Sequence, residues 1–241
     1  MENIYLFDVD GTLTEPRQLM TEDFANLFRI LVRSNIVYLV SGSDLLKLKE
    51  QVPQDILSDC AGIFSSSANQ LDIDDELIYE NELEVPEELS VFLRNFLEKS
   101  YYKTKTGRHI EHRPGMINFS VVGRNASQEE REEYHKWDTR NLERKKLAVS
   151  LMARFPGFDA KIGGEISIDV YPTEYDKRQS VSYIKENHPN GKIRFFGDRT
   201  GQYGNDYSVV ISLKEGDRFH TVMNPLQTKD LITDYLRGKE L

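Results

Sequence analysis

The chain has 241 residues, 31 basic against 40 acidic, giving a formal charge of −9, and one cysteine, Cys60. That balance argues against nucleic acid or an anionic membrane as the main partner, while leaving room for a local basic pocket. A single cysteine excludes an intrachain disulfide and a cysteine-cluster metal site and suits a reducing, cytoplasmic setting, and no window reaches the ~18 apolar residues of a membrane span.

Asn3-Ile4-Tyr5-Leu6-Phe7 is β-branched and aromatic, which predicts a buried strand over 3–7. It runs into Asp8-Val9-Asp10-Gly11-Thr12. Residues two apart in a strand share a face, so Asp8 and Asp10 project together where Gly11 turns the chain. Two like charges ~4 Å apart repel by about 4 kcal/mol at an effective dielectric near 20, and a bound divalent cation turns that repulsion into attraction. Mg²⁺, satisfied by one or two carboxylates plus substrate phosphate oxygens, is the natural ion. Taken alone, the pair also fits a solvated Asp-Gly turn.

A helix over 22–33, a strand over 36–40 and a helix over 43–51 follow. Such alternation predicts an α/β fold with a doubly wound, Rossmann-like parallel sheet. In these sheets ligands bind beyond the carboxyl ends of the strands, where Asp8, Asp10 and the Ser41-Gly42-Ser43 turn fall. A hydroxyl and backbone N–H groups at a strand-to-helix turn can hold a phosphoryl oxygen, although a serine there is more often a helix cap. Asp72 to Glu76 turns a small hairpin.

From about residue 82 the pattern becomes helix, strands, long helix, strands. Val85-Pro86-Glu87-Glu88 starts a helix, with the acids complementing its dipole. Strands are predicted over 109–112 and 116–122, and Ser127-Gln128-Glu129-Glu130 matches a capping box opening a helix to about Phe155. Two more strands, 158–162 and 165–170, hinge on Gly163-Gly164. This ordering predicts an inserted α+β cap domain with an antiparallel sheet over 82–175, between core segments 1–81 and 176–241. Beyond the insert, Asp176-Lys177 offers a point positive charge for a phosphate. The apolar run ending at Phe196 leads into Gly197-Asp198 and on to Asp206, a further source of metal-binding carboxylate.

Together these four pieces resemble the haloacid dehalogenase superfamily of phosphotransferases, with its Asp-x-Asp-Gly-Thr motif followed by separated Ser/Thr, Lys and acidic motifs. In the insert, Glu111-His112-Arg113-Pro114-Gly115-Met116-Ile117-Asn118, Gly123-Arg124-Asn125, Glu129-Glu130-Arg131 and Gly163 through Pro172 are similar to the cap of the eukaryotic-type phosphomannomutases. The resemblance spans nearly the whole chain. It implies that Asp8 is phosphorylated and that Asp10 acts as general acid/base. It also implies that Lys177 and Ser41 or Ser43 serve the transferred phosphoryl group, and that Asp8, Asp10 and Asp198 hold Mg²⁺, with Asp206 a possible further acidic residue. Arg17, Arg113, Arg124 and Arg131 then bind sugar phosphate, while Ser167 and Asp169 hold sugar hydroxyls. Arg108 and His112 are read as surface or packing residues.

The implied activity interconverts mannose 6-phosphate and mannose 1-phosphate, feeding GDP-mannose biosynthesis. A hexose 1,6-bisphosphate is the activator, and a phosphorylated hexose is the substrate of a homodimer joined through the cap. A Mg²⁺-dependent sugar-phosphate phosphatase on the same scaffold is the alternative. The chain departs from the family at Ser66-Ser67-Ala68-Asn69, where a Glu-Asn-Gly turn is usual, and at Pro114, which replaces a common Asn. Ser212-Leu213-Lys214-Glu215 stands where the family often has Asp-Pro-Arg-Thr, a stretch able to hold a second cation.

Overall fold

The computed structural model describes residues 2–238; Met1 and residues 239–241, which fall inside the expected core bounds, lie outside the described residues. The described residues divide into two compact units, the first formed by the described residues before and after Asn81–Tyr175 and the second being Asn81–Tyr175 itself.

In the first unit, described strands form a seven-stranded sheet. They are β1 (Asn3–Asp8), β2 (Ile36–Val40), β3 (Gly62–Ser65), β4 (Gln70–Ile73), β5 (Glu76–Glu80), β10 (Lys192–Gly197) and β11 (Arg218–Thr221), ordered β11-β10-β1-β2-β3-β4-β5. The first five in that order run parallel, and β4 and β5 close the sheet as an antiparallel hairpin. The hairpin turns on Asp74 and Asp75, both at positive φ (51° and 61°), as a tight two-residue connection requires.

The central strand is apolar on both sides. Tyr5 and Phe7 enter one core with Phe24 and Phe28 of α1 (Glu22–Ser34), Ile56 of α3 (Gln54–Asp59) and Ile232 of α9 (Pro225–Leu236). Ile4 and Leu6 enter a second core with Val181 and Ile184 of α7 (Arg178–Asn187) and Val209 of α8 (Tyr207–Ser212). Helices on both faces bury every β1 side chain from Ile4 to Asp8, which is why Ile4 to Phe7 reads as an unbroken apolar run ended by a carboxylate. Cys60 is buried in the first of these cores.

Two local features differ from expectation. The helix predicted over 43–51 is α2 (Leu45–Gln51), capped by Asp44, whose carboxylate accepts from the Lys47 N–H at 3.0 Å. Ser43 is thereby released from the capping role. After β3, Ser66, Ser67 and Ala68 take positive φ values of 50°, 60° and 64° in a stretch without glycine. L-residues resist that conformation by roughly 1–2 kcal/mol each. It persists because the Ser66 and Ser67 N–H groups donate to the carbonyls of Ser43 and Ser41, both at 2.8 Å, lacing this turn to the one after β2.

The second unit has a four-stranded antiparallel sheet of β6 (Ile110–Arg113), β7 (Met116–Ser120), β9 (Ser167–Pro172) and β8 (Phe158–Gly163), in that order. Its apolar face, with Ile117, Phe119, Ile168 and Val170, packs with Leu89 and Leu93 of α4 (Glu87–Lys99), Tyr134 of α5 (Gln128–Asn141) and Leu147 and Leu151 of α6 (Glu143–Arg154). Ser127 forms the expected capping box with Glu130. The single helix expected from there to Phe155 is instead broken at Leu142, which sits at φ 55° between α5 and α6. Asp138 holds the break: its carboxylate accepts from the Arg144 backbone N–H (2.9 Å) and Nε (2.7 Å), and its carbonyl from the Leu142 N–H (2.6 Å).

Candidate active site

Parallel strand order sets the carboxyl ends of β10, β1 and β2 side by side, with Phe7 opposite Phe196 and Asp8 opposite Val40. Asp8 is therefore the last residue of the central strand. Beyond it the Thr12, Leu13 and Thr14 N–H groups all donate to the Val9 carbonyl, and the Gly11 N–H donates to the Thr14 carbonyl at 2.7 Å. Gly11 turns at φ +84°, and a Cβ there would lie 2.6 Å from Asp198 Oδ2, so both geometry and space call for glycine.

Asp8 is buried, and Thr12 Oγ1 donates to its Oδ2 at 3.1 Å. Lys177, fully buried just before α7, donates to Asp8 Oδ1 and Asp206 Oδ1, both at 2.6 Å. Asp206 is held in turn by the Arg199 backbone N–H on its Oδ2. Burial opposes the Lys177 charge, yet Asp206 and Asp8 outweigh that penalty and hold the ammonium above the ordinary lysine range. Burial pushes the Asp8 carboxyl well up; Lys177 offsets part of this while Asp206 and Asp198 add repulsion.

Among the described residues, carboxylate oxygens of Asp8, Asp198 and Asp206 lie within 4.8 Å of one another. An all-oxygen anionic set is what a hard cation such as Mg²⁺ takes, so the residues present fit the ion. Burial first, then repulsion from Asp206, pushes Asp198 up to about 7, against the lowering influence of Arg199 and Lys177. An unfolded Asp titrates near 3.9, so between about pH 4 and pH 7 the native state binds the extra proton and this contribution to stability falls as pH rises. Thermal scans of chelated protein are therefore expected to show lower stability at pH 7 than at pH 5, and Asp198→Asn should flatten that slope; an unchanged slope in the variant contradicts the assignment.

Asp10 lies outside that group of three, though near enough to add repulsion at Asp198. Its Oδ1 accepts from Gln51 Nε2 (2.8 Å) and the Arg17 backbone N–H (3.2 Å), and its Oδ2 accepts from Ser43 Oγ (3.1 Å). The structure thus brings Asp8, Lys177, Asp198 and Asp206 together, and links Asp10 to Ser43. Ser41 is buried, with its Oγ accepting from the Ser43 N–H, while the Arg17 side chain is exposed.

In the second unit, strand register aligns Glu111, Asn118, Asp169 and Lys161 across β6, β7, β9 and β8. They occupy the sheet face opposite the apolar one. Asn118 Nδ2 donates to Asp169 Oδ1 at 2.7 Å, and Ser167 Oγ donates to the Gly163 carbonyl at 3.0 Å. Glu111 Oε2 pairs with Arg113 Nη2 (2.5 Å) and Arg124 Nε (3.2 Å), gathering two of the predicted arginines; Arg131 pairs with Glu165 at 3.7 Å. Arg108 and His112 are exposed. A Cβ on Gly163 would lie 2.4 Å from Asp169 Oδ2.

The sequence gives no role to Gln51, nor to Thr12, Glu111 and Asn118, although the last three stand in its motifs. For the last two a signal existed: alternation along β6 and β7 puts Glu111 and Asn118 on the same face as Arg113.

Fold and site together define an enzyme of the haloacid dehalogenase type. The C-terminal domain of C. albicans trehalose-6-phosphate phosphatase superposes with a TM-score of 0.68 at 16% identity, covering 98% of this chain and 93% of that one. An IMP-bound, N-terminally truncated Plasmodium falciparum IMP-nucleotidase gives 0.66 at 13% identity, covering 98% and 68%. The eukaryotic phosphomannomutase profile matches residues 24–237. Phosphomannomutases of Dendrobium officinale and Solanum lycopersicum are 37% and 36% identical, covering 94% and 98% of this chain and 91% and 95% of their own. The chain belongs to the eukaryotic phosphomannomutase family and is a phosphomannomutase-type enzyme. Among the described residues no helix is long and apolar enough to cross a membrane.

Proposed function

We propose that the enzyme interconverts mannose 6-phosphate and mannose 1-phosphate through a phosphoaspartate at Asp8. The observation that carries the proposal is the buried Asp8–Lys177–Asp206 array at the end of the central strand. A hexose 1,6-bisphosphate charges the enzyme: an Asp8 oxygen attacks phosphorus, the bond from phosphorus to the sugar oxygen breaks, and Asp10 gives that oxygen a proton. In the second transfer a substrate hydroxyl gives its proton to Asp10 and attacks the phosphoaspartate, freeing Asp8. Lys177 neutralises charge on the transferring group, and the Ser41–Ser43 turn offers it hydrogen bonds. Asp8, Asp198 and Asp206 would hold Mg²⁺, together with the Asp10 carbonyl that the family resemblance implies, and the ion would supply further charge neutralisation.

The arginines of the second unit favour this reading over a phosphatase, which needs no grip on a second phosphate: Arg113 and Arg124, gathered at Glu111, and Arg131, paired with Glu165, suit bidentate phosphate binding. Ser167 and Asp169 take sugar hydroxyls, and Arg17 contributes to phosphate binding. The test is a phosphorus NMR time course with Mg²⁺, mannose 1-phosphate and a trace of glucose 1,6-bisphosphate. Bisphosphate-dependent appearance of mannose 6-phosphate supports the mutase, and inorganic phosphate as the main product overturns it.

The same reading has the enzyme acting in the cytoplasm in GDP-mannose biosynthesis and pairing through its second unit. Pairing is supported by a groove of about 450 Å³ along α4, in which Val91, Phe92 and Phe96 stand among Glu87, Glu88, Asn95, Lys99 and Arg154. Val91→Glu is expected to shift the sedimentation coefficient from dimer to monomer; identical sedimentation of variant and parent contradicts this surface as the contact.

A further inference from the structure

Gln51 is 3% exposed, and its amide points at Asp10. It is the last residue of α2, a helix anchored in the core by Leu48. Its Nε2 donates to Asp10 Oδ1 at 2.8 Å and to Thr14 Oγ1 at 3.0 Å, and Thr14 is itself the bridge partner of Asp10. The Gln51 backbone carbonyl also accepts the Met20 N–H at 2.8 Å, securing the far end of the segment that carries Arg17. One buried side chain therefore ties the acid/base carboxylate, the turn after β1 and the helix after β2.

We propose that Gln51 is a positioning residue for the proton transfers, holding Asp10 by one oxygen so that the other meets the sugar oxygen. The two oxygens of Asp10 are not equivalent. Oδ1 receives two N–H donors, Gln51 and the Arg17 backbone, neither of which can accept a hydrogen bond in return. Oδ2 receives only the Ser43 hydroxyl among the hydrogen bonds described, and a hydroxyl can turn from donor to acceptor. Oδ2 is thus the oxygen that exchanges a proton without loss of a hydrogen bond. As the phosphorus–sugar bond breaks, the proton on Oδ2 passes to the leaving oxygen; in the return transfer the attacking hydroxyl delivers its proton to Oδ2 as its own bond to phosphorus forms. The proposal rests on the acid/base reading of Asp10.

Leaving-group chemistry separates positioning from structure. A sugar alkoxide needs a proton to leave, whereas para-nitrophenolate leaves without one. Gln51→Met, of similar length but without the amide donor, is expected to lower kcat for sugar phosphate about tenfold or more with KM little changed. First-turnover release of para-nitrophenol from para-nitrophenyl phosphate should fall far less. Gln51→Asn, which keeps a donor on a shorter stem, should recover part of the lost kcat. Equal losses with both substrates, in a Gln51→Met protein whose thermal transition and Mg²⁺ affinity match the parent, overturn the proposal. Asp10→Ala serves as reference. If it shows leaving-group dependence and Gln51→Met does not, the positioning role alone fails; if Asp10→Ala shows none, the acid/base reading falls and the proposal with it.

Discussion

Replacing Lys177 by Met is expected to cost the first unit about 3–5 kcal/mol and to abolish turnover, because it strips the cation from two buried carboxylates at once. Asp8 and Asp206 each lie 2.6 Å from the ammonium, and their side chains are 5% and 0% exposed, so water cannot replace it. For a unit of this size the loss corresponds to a drop of about 10 °C or more in the midpoint of thermal unfolding. Asp198 adds a third carboxylate to the same group, so the variant should regain part of its stability on addition of Mg²⁺, far more than the parent gains. Calorimetric scans with chelator and with Mg²⁺ measure both quantities. A Lys177→Met protein as stable as the parent in chelator would show that the buried carboxylates are neutral without Lys177, contrary to the charged array described here.

Asp8→Asn should do the opposite to stability and the same to turnover. Burial and the repulsion of Asp206 and Asp198 make the charged Asp8 expensive, with Lys177 offsetting only part of that cost. An amide of the same shape still accepts the Lys177 hydrogen bond through its oxygen while relieving the repulsion. The thermal midpoint without Mg²⁺ is therefore expected to hold or rise, and Mg²⁺ affinity to fall with the loss of one anionic donor. Turnover should fall roughly 10⁴-fold or more, since an amide cannot serve as the nucleophile. Turnover within tenfold of the parent would eliminate covalent catalysis at Asp8, and a collapsed fold would mean that its charge is structural.

Much of this arrangement was legible because strong physical constraints leave strong patterns. A strand buried on both faces must be apolar throughout, so the carboxylate that ends it, Asp8, stands out. The parallel α/β alternation then carries Ser41, Lys177 and Asp198 toward the same sheet edge. The illegible parts are those where a polar residue occupies a position that ordinarily faces solvent. Gln51 ends an exposed-looking helix, and only the fold shows that its amide turns inward to Asp10. Glu111 reads as one charge among many until the fold brings it within ion-pair distance of both Arg113 and Arg124. Backbone exceptions were equally silent: the break at Leu142 and the left-handed run at Ser66–Ala68 lack the glycine that usually marks such turns, because hydrogen bonds from Asp138 partners and to the β2 turn enforce them instead.

Covalent transfer through Asp8 requires that a phosphoryl group rest on that carboxylate between two transfers to sugar. The most direct measurement is acid quenching of enzyme mixed with Mg²⁺ and phosphorus-labelled hexose 1,6-bisphosphate, followed by peptide mass spectrometry and a chase with unlabelled mannose 1-phosphate. Label is expected on the peptide containing Asp8 and should pass into sugar phosphate during the chase. Label on another peptide, or label lost to inorganic phosphate at the same rate with and without the acceptor, would contradict it.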